Sequence, residues 1–195
     1  VQERCTEEVK GLAERYTILA EEVGMHGPQF QTLKQVWRSS ATSSTSDDDD
    51  AENSDNSEEL LALIKIPDDA DRYHMHPAML DGVFQLVGFM SSDVGSDGSS
   101  GQSWMPAGID RVEMYESLGR GKISKDASVW AHARVVEASA GTRVLNFSIY
   151  HKTDSASSEA STVPFMTLEG FRFTVLPPQP PPSAIYEVIW ADAPL

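Results

Sequence analysis

The fold is decided by residues 73–90, which read YHMHPAMLDGVFQLVGFM. Pro77 suits the first position of a helix, where the N–H that proline lacks would have no partner. The residues after Pro77 leave no polar face, and a helix that is apolar all round must be buried all round. We therefore predict a buried helix over residues 77–90 that the rest of the chain wraps.

Asp81 is the one charged residue of this predicted helix, and Gln85 follows it by four positions. Residues four apart lie on the same face of a helix, so the two side chains can touch. A carboxylate inside a buried helix is costly unless it is paired or functional. Gly82 and Gly88 each cost about 1 kcal/mol relative to alanine in a helix interior, so we expect other parts of the fold to pack very close to them.

On the N-terminal side of this helix, apolar residues at helical spacing predict an amphipathic helix over Thr6–Val23, which Gly24 ends. A turn rich in glycine and proline then leads into a strand over Phe30–Trp37, and Glu59–Ile66 closes a hairpin with that strand. Between the two strands, Ser39–Ser57 consists almost entirely of Ser, Thr, Asp, Asn and Glu. Such a composition cannot bury enough apolar surface to offset the entropy of ordering, so we expect a disordered insertion.

On the C-terminal side, alternating apolar and polar residues predict strands alone, separated by turns rich in Gly, Ser or charge. The predicted strands are Ile109–Tyr115, Val129–Val136, Val144–His151 and Phe165–Leu176. We expect His132 to be exposed on its strand and His151 to lie at a sheet edge. One buried helix and a meander of strands pack most simply as a curved antiparallel sheet around the helix, which is an α+β fold.

The segment HPAMLDGVFQ, residues 76–85, resembles the signature His-Pro-x-x-Leu-Asp-x-x-x-Gln. This signature belongs to the second hot-dog fold in the dehydratase domains of type I polyketide synthases and animal-type fatty acid synthases. The turn before the first predicted strand is similar to the family's Tyr-Gly-Pro-x-Phe, and the matching residues are Gly27, Pro28 and Phe30. His26 stands where the family usually has tyrosine. The resemblance implies a hot-dog fold, in which an antiparallel sheet wraps a central helix.

The same resemblance implies the removal of water from a 3-hydroxyacyl thioester carried on an acyl carrier protein. Asp81 would be the general acid and Gln85 would orient it, while the histidine base would come from the first hot-dog half. The implied substrate-binding residues are His26, Gly27, Pro28, Phe30, His76 and Pro106. No metal and no cofactor are implied, because the phosphopantetheine arm of the carrier protein presents the substrate.

Residues 1–176 resemble the C-terminal hot-dog half of such a dehydratase, and residues 177–195 resemble a proline-rich linker with the start of the next connector. The implied partners are the N-terminal hot-dog half of the same dehydratase and the acyl carrier protein. The parent protein is expected to be a homodimer. Because the histidine base belongs to the other half, we expect this chain alone to be inactive.

Three other interpretations stay open from the sequence. The domain could be a non-catalytic hot dog kept for the architecture of a megasynthase, a product-template cyclase, or a stand-alone hot dog of the thioesterase type. At the level of single residues, the Asp81–Gln85 pair could serve only to fix the helix. His26 could be an ordinary loop histidine, and His76 could pack structurally at the helix start.

Charge and cysteine content argue against several classes of protein. The net charge is −15, with eight acids and no base between residues 39 and 59, which argues against a nucleic-acid surface. Cys5 is the single cysteine, so no internal disulfide can form and a reducing compartment is indicated. Neither the acidic insertion nor the pair His74 and His76 has the spacing of a metal site. With no apolar signal region, and a predicted helix too short to span a membrane, we expect a cytoplasmic protein.

Overall fold

The computed structural model describes residues 3–22, 27–39, 57–90, 104–115, 128–152 and 163–175. Within these ranges the chain forms two α-helices, eight strands and three short 3-10 turns. The helices are α1 (Leu12–Glu22) and α2 (Pro77–Phe84). The strands are β1 (Cys5–Glu8), β2 (Leu33–Ser39), β3 (Glu59–Lys65), β4 (Trp104–Gly108), β5 (Arg111–Met114), β6 (Ser128–Ala138), β7 (Thr142–His151) and β8 (Met166–Val175). The 3-10 turns are Pro28–Phe30, Ala70–Arg72 and Gln85–Phe89.

All eight described strands join one antiparallel sheet in the order β1-β2-β3-β6-β7-β8-β4, with β5 also paired to β8. The predicted hairpin across the acidic insertion is confirmed, because Arg38 of β2 pairs with Leu60 of β3. The insertion itself, over residues 40–56, and the proline-rich segment after Val175 lie outside the described residues. An antiparallel sheet with α2 packed on it confirms the α+β hot-dog prediction.

The core lies between the sheet and α2, and the strands supply it by simple alternation. On β7, Leu145, Phe147 and Ile149 are buried while the residues between them are half-buried, as the sequence pattern predicts. On β8, Phe171 and Phe173 are buried in the same way. The sheet therefore offers α2 one continuous apolar face.

The central helix is shorter and less enclosed than predicted. It is α-helical over Pro77–Phe84 and continues as the 3-10 turn Gln85–Phe89. One side of it, made of Leu80, Asp81, Phe84 and Gln85, is half-buried rather than buried. The prediction of burial all round is thus wrong for this side, which we call the open stripe, although Leu80 and Phe84 within it still pack against the core.

The two helix glycines behave differently. A Cβ at Gly82 would overlap Oγ1 of Thr32 and would lie 3.3 Å from Cγ2 of Ile64, which confirms the expectation of very close packing there. At Gly88 the nearest atom would lie 3.6 Å away, in the Arg15 guanidinium, which is an ordinary contact. The expectation of close packing is therefore wrong at Gly88.

The N-terminal elements start later than predicted. Cys5–Glu8 is a strand paired with β2, and α1 begins at Leu12, after Gly11 takes a positive φ of 78°. The predicted helix over Thr6–Val23 is therefore wrong in its first turns. Likewise β2 begins at Leu33 rather than Phe30, because residues 28–30 form a 3-10 turn in which the Phe30 N–H donates to the Gly27 carbonyl at 2.8 Å.

The C-terminal strands agree with the prediction apart from their ends, except that Ile109–Tyr115 is reduced to β5 and the separate strand β4 precedes it. Both histidine expectations in this region are wrong. His132 has a side chain only 12% exposed, because it lies beside Glu59 on the neighbouring strand β3. His151 is paired with Val129 inside the sheet, and its ring stacks on Phe165 with 4.4 Å between ring centroids. In the described part of the chain, no helix has the length and apolar character needed to cross a membrane.

Candidate functional site

The centre of the site is the pair of polar side chains on the open stripe. Nε2 of Gln85 donates a hydrogen bond to Oδ2 of Asp81 at 2.7 Å. Both residues are half-buried, so the carboxyl group is neither sealed in the core nor fully exposed to water. The sequence prediction that these two side chains touch is confirmed.

The amide of Gln85 has partners at both ends. Besides donating to Asp81, its Nε2 donates to the carbonyl of Phe30 at 3.0 Å, and its Oε1 accepts from the hydroxyl of Tyr16 at 2.7 Å. These contacts bring α1, the 28–30 turn and α2 together at one side chain. The amide is therefore held in a single orientation with its nitrogen toward the carboxyl group.

Tyr16 is the member of this group that sequence reasoning missed. On α1 it falls at an apolar position of the helical pattern, so nothing in the pattern distinguishes it from a core residue. It is 8% exposed, and its hydroxyl also accepts from the backbone N–H of Leu33 at 3.3 Å. Burial raises the pKa of Tyr16 to about 12, with the Leu33 N–H acting in the opposite direction and the negative charge of Asp81 adding to the rise. The hydroxyl thus keeps its proton at neutral pH and stays a donor.

The turn residues reach the site through the backbone. Gly27 precedes the 3-10 turn that starts at Pro28, and Phe30 offers its carbonyl to Gln85 while its ring is exposed. The turn therefore supports Gln85 directly. His26 lies outside the described residues.

His76 has a clear local role. Its Nδ1 accepts from the backbone N–H of Ala78 at 3.1 Å, and its Nε2 lies 3.1 Å from Oδ1 of Asp69. This is an N-cap, which satisfies one of the unpaired N–H groups at the start of α2. The geometry favours the structural interpretation of His76 over contact with substrate.

Pro106 lies elsewhere, on β4, where it is exposed and paired with Phe173 of β8. It is not one of the residues that the structure brings to the amide of Gln85. Across the described residues, no group of three or more His, Cys, Asp or Glu side chains is arranged to hold a metal ion.

Comparison with known proteins identifies the family to which the chain belongs. The family model described as the polyketide synthase dehydratase N-terminal domain matches residues 1–183. The chain belongs to the polyketide synthase dehydratase family. Dehydratases of this family are hydro-lyases.

Among curated proteins, this chain is similar to phenolphthiocerol/phthiocerol polyketide synthases of Mycobacterium tuberculosis and Mycobacterium bovis. Three such polypeptides, two from M. tuberculosis strains and one from M. bovis, are each 29% identical to it over 111 residues, which is 55% of this chain. The chain matches only 5% of the length of each of these relatives.

Solved structures show the same fold. The dehydratase domain from the CurK module of curacin polyketide synthase superposes with a TM-score of 0.59 at 19% identity, covering 92% of this chain and 51% of that one. A trans-AT polyketide synthase dehydratase domain from Brevibacillus brevis gives a TM-score of 0.60 at 18% identity, with 90% and 51% covered. The present chain therefore spans about half of each solved domain.

Proposed function

We propose that this chain is the C-terminal hot-dog half of a polyketide synthase dehydratase domain, with Asp81 as the general acid. The observation that carries the proposal is the 2.7 Å hydrogen bond from Gln85 to Asp81 on the open stripe of α2. A pair that served only to fix the helix in the core would be fully buried. This pair is only half-buried.

The proposed reaction removes water from a 3-hydroxyacyl thioester. A base takes the proton alpha to the thioester carbonyl, a carbon–carbon double bond forms, and the hydroxyl leaves with a proton supplied by the acid, so that the products are the enoyl thioester and water. Because Oδ2 of Asp81 accepts from Gln85, the proton to be delivered is better placed on Oδ1. Gln85 thereby orients the acid.

The base is proposed to come from the N-terminal hot-dog half. None of the five histidines of this chain stands in a His-x-x-x-Gly-x-x-x-x-Pro context. His76 is engaged as a helix cap, and His132 lies on β6 beside Glu59. We therefore expect the isolated chain to be inactive.

The chain covers about half of each solved dehydratase domain, which fits a single hot-dog half. Assignment to the second half is supported by the acid signature in the segment 76–85. The matched family model bears the name of the N-terminal domain, so the choice of half rests on the signature.

The proposal extends to partners. The substrate would be presented on the phosphopantetheine arm of an acyl carrier protein, and no other cofactor would be needed. The N-terminal hot dog would cover the open stripe and exclude water from Asp81. A homodimeric parent in the cytoplasm completes the proposal, and the single cysteine fits that compartment.

The first prediction tests Asp81 in the complete two-half dehydratase domain. Asp81→Asn keeps the size of the side chain, so the thermal unfolding midpoint should stay near that of the wild type. Dehydration of a 3-hydroxyacyl carrier protein should fall by about 10²–10⁴-fold, the usual contribution of general acid catalysis. Gln85→Ala should cost less, since it loosens the acid without removing it. The matched control is Asp71→Asn, on the exposed 3-10 turn over residues 70–72, which should keep full activity.

An Asp81→Asn domain that melts normally and still dehydrates at the wild-type rate would contradict the catalytic role of Asp81. It would favour the interpretation of the domain as a non-catalytic, architectural hot dog. Turnover by the isolated chain would overturn the half-site proposal instead. It would favour a self-assembled dimer that supplies its own base.

A further inference from the structure

We propose that Tyr16 is a positioning residue for dehydration, acting through the Gln85 amide that holds the Asp81 carboxyl group. This inference rests on the proposed function of Asp81. It adds a residue from a second helix, α1, that neither the sequence signature nor the 28–30 turn contains.

The hydroxyl of Tyr16 has a single proton to donate. The backbone N–H of Leu33 donates to the hydroxyl oxygen at 3.3 Å and occupies one of its acceptor positions. The hydroxyl proton is therefore directed at Oε1 of Gln85, 2.7 Å away. With its pKa raised to about 12, the phenol holds that proton over the whole range in which the enzyme would work.

The two ends of the Gln85 amide have different hydrogen-bonding roles. An amide side chain has one end that only accepts and one end that only donates. With Oε1 bound to Tyr16, the two N–H groups of Nε2 face the Asp81 carboxyl and the Phe30 carbonyl. In the flipped orientation, Oε1 of Gln85 would face the carboxyl oxygen of Asp81 and the carbonyl oxygen of Phe30. Tyr16 thus favours the one orientation in which Gln85 can donate to Asp81.

Removal of the Tyr16 hydroxyl takes away the hydrogen bond that orients the Gln85 amide. In Tyr16→Phe the ring still fills its buried site, but the half-buried Oε1 of Gln85 loses its donor, and an acceptor left unpaired away from water is costly. The amide then gains freedom to rotate away. The Asp81 carboxyl loses a fixed orientation, although the acid itself is still present.

The second prediction is a double-mutant cycle in the complete dehydratase domain. Tyr16→Phe should lower kcat by about 2- to 12-fold, the net worth of one hydrogen bond, and should leave KM nearly unchanged. In a Gln85→Ala background, Tyr16→Phe should give no further loss of kcat, because it acts through that amide. The matched control is Thr17→Ala on the same helix, which removes a hydroxyl that donates to the Ala13 carbonyl and should leave kcat unchanged.

A wild-type kcat for Tyr16→Phe, or a loss that adds fully to that of Gln85→Ala, would overturn the positioning role. If Asp81→Asn also kept its full rate, the proposed function itself would fail. If Asp81→Asn is inactive while Tyr16→Phe is fully active, only the present inference fails.

If Tyr16→Phe does not fold, a second variant tests the same positioning role. Replacing Tyr16 by 3,5-difluorotyrosine retains the ring and the hydroxyl but makes the phenol more acidic. Its phenolate cannot donate to Gln85, so kcat should decline at a lower pH than in the wild type. An unchanged pH profile would contradict the proposal.

Discussion

At the scale of single residues, Glu59 is a carboxylate that is 8% exposed and is held by charge partners. Arg4 donates to both of its oxygens, from Nε at 2.9 Å and from Nη2 at 3.2 Å, and Nε2 of His132 lies 3.3 Å from Oε2. Burial opposes ionisation of Glu59, but Arg4 and His132 outweigh it and hold the pKa of Glu59 below its usual range. Burial lowers the pKa of His132 from 6.5, against the opposing charge of Glu59.

The third prediction follows from His132. Its pKa is lower in the folded than in the unfolded chain, so the unfolded chain binds the proton first as the pH falls. The contribution of neutral His132 to stability is complete above pH 6.5 and is lost as the pH falls below that value. The thermal unfolding midpoint should therefore drop between about pH 7.5 and about pH 5.5, and the drop should be smaller in His132→Gln.

Thr17→Ala is the control for this measurement, because Thr17 is exposed and has no titratable side chain, so the pH dependence should stay as in the wild type. An equal drop in the wild type and in His132→Gln would show that His132 does not control acid stability.

At the scale of elements, the C-terminal end of the central helix is fixed by arginines from three other elements. Its last carbonyl groups would otherwise lack partners, and the negative end of the helix dipole attracts cations. The three bonds run from Arg143 of β7 to Val87 (3.5 Å), from Arg15 of α1 to Gly88, and from Arg38 of β2 to Phe89 (3.1 Å). Phe89 and Arg143 are both buried. This arrangement sets the depth of α2 against the sheet, and hence the position of Asp81.

The fourth prediction removes one of these donors. Arg38→Met keeps the apolar stem but leaves the buried Phe89 carbonyl without this guanidinium, so the free energy of unfolding should fall by about 1.5–3 kcal/mol. Urea unfolding of the purified domain measures this change. Arg172→Met is the control, since its ion pair with Asp110 is exposed and should contribute no more than about 1 kcal/mol. Equal effects of the two variants would mean that Arg38 does not anchor the helix.

At the scale of the whole molecule, the two strand ends that flank the acidic insertion lie side by side. The backbone N–H of Glu59 donates to the hydroxyl of Ser39 at 3.1 Å, and Arg38 pairs with Leu60. The sheet therefore brings the two ends together through backbone pairing. The prediction that residues 39–57 form a disordered insertion stays a prediction.

The fifth prediction is that residues 40–56 can be replaced by Asn-Gly with little effect on the thermal unfolding midpoint. Loop-closure entropy changes slowly with length, by about 0.6 kcal/mol for each doubling, so the shorter loop should cost nothing and could add slightly to stability. Limited proteolysis of the wild-type chain should cut first within this segment. A loss of several degrees in the replaced variant would instead show that the segment packs on the fold.

The sequence by itself determined where the central helix begins and which strand residues face the core. Pro77 fixes the helix start, and the contact of Asp81 with Gln85 follows from helical periodicity, which is a local property. The alternating residues of β7 and β8 likewise determine which side chains enter the core. The residues that act chemically in the proposal therefore lay within one continuous signature.

Only the tertiary structure decided how that signature is surrounded. Cys5–Glu8 is a strand because β2 pairs with it, although helical spacing suggested otherwise. The stripe of α2 that carries Asp81 is half-buried rather than buried, which an apolar sequence cannot reveal. Tyr16 meets Gln85 across 69 residues, and His132 meets Glu59 across β3 and β6. Such contacts depend on chain topology, because hydrogen bonds between distant segments leave no periodic signal in the residues that make them.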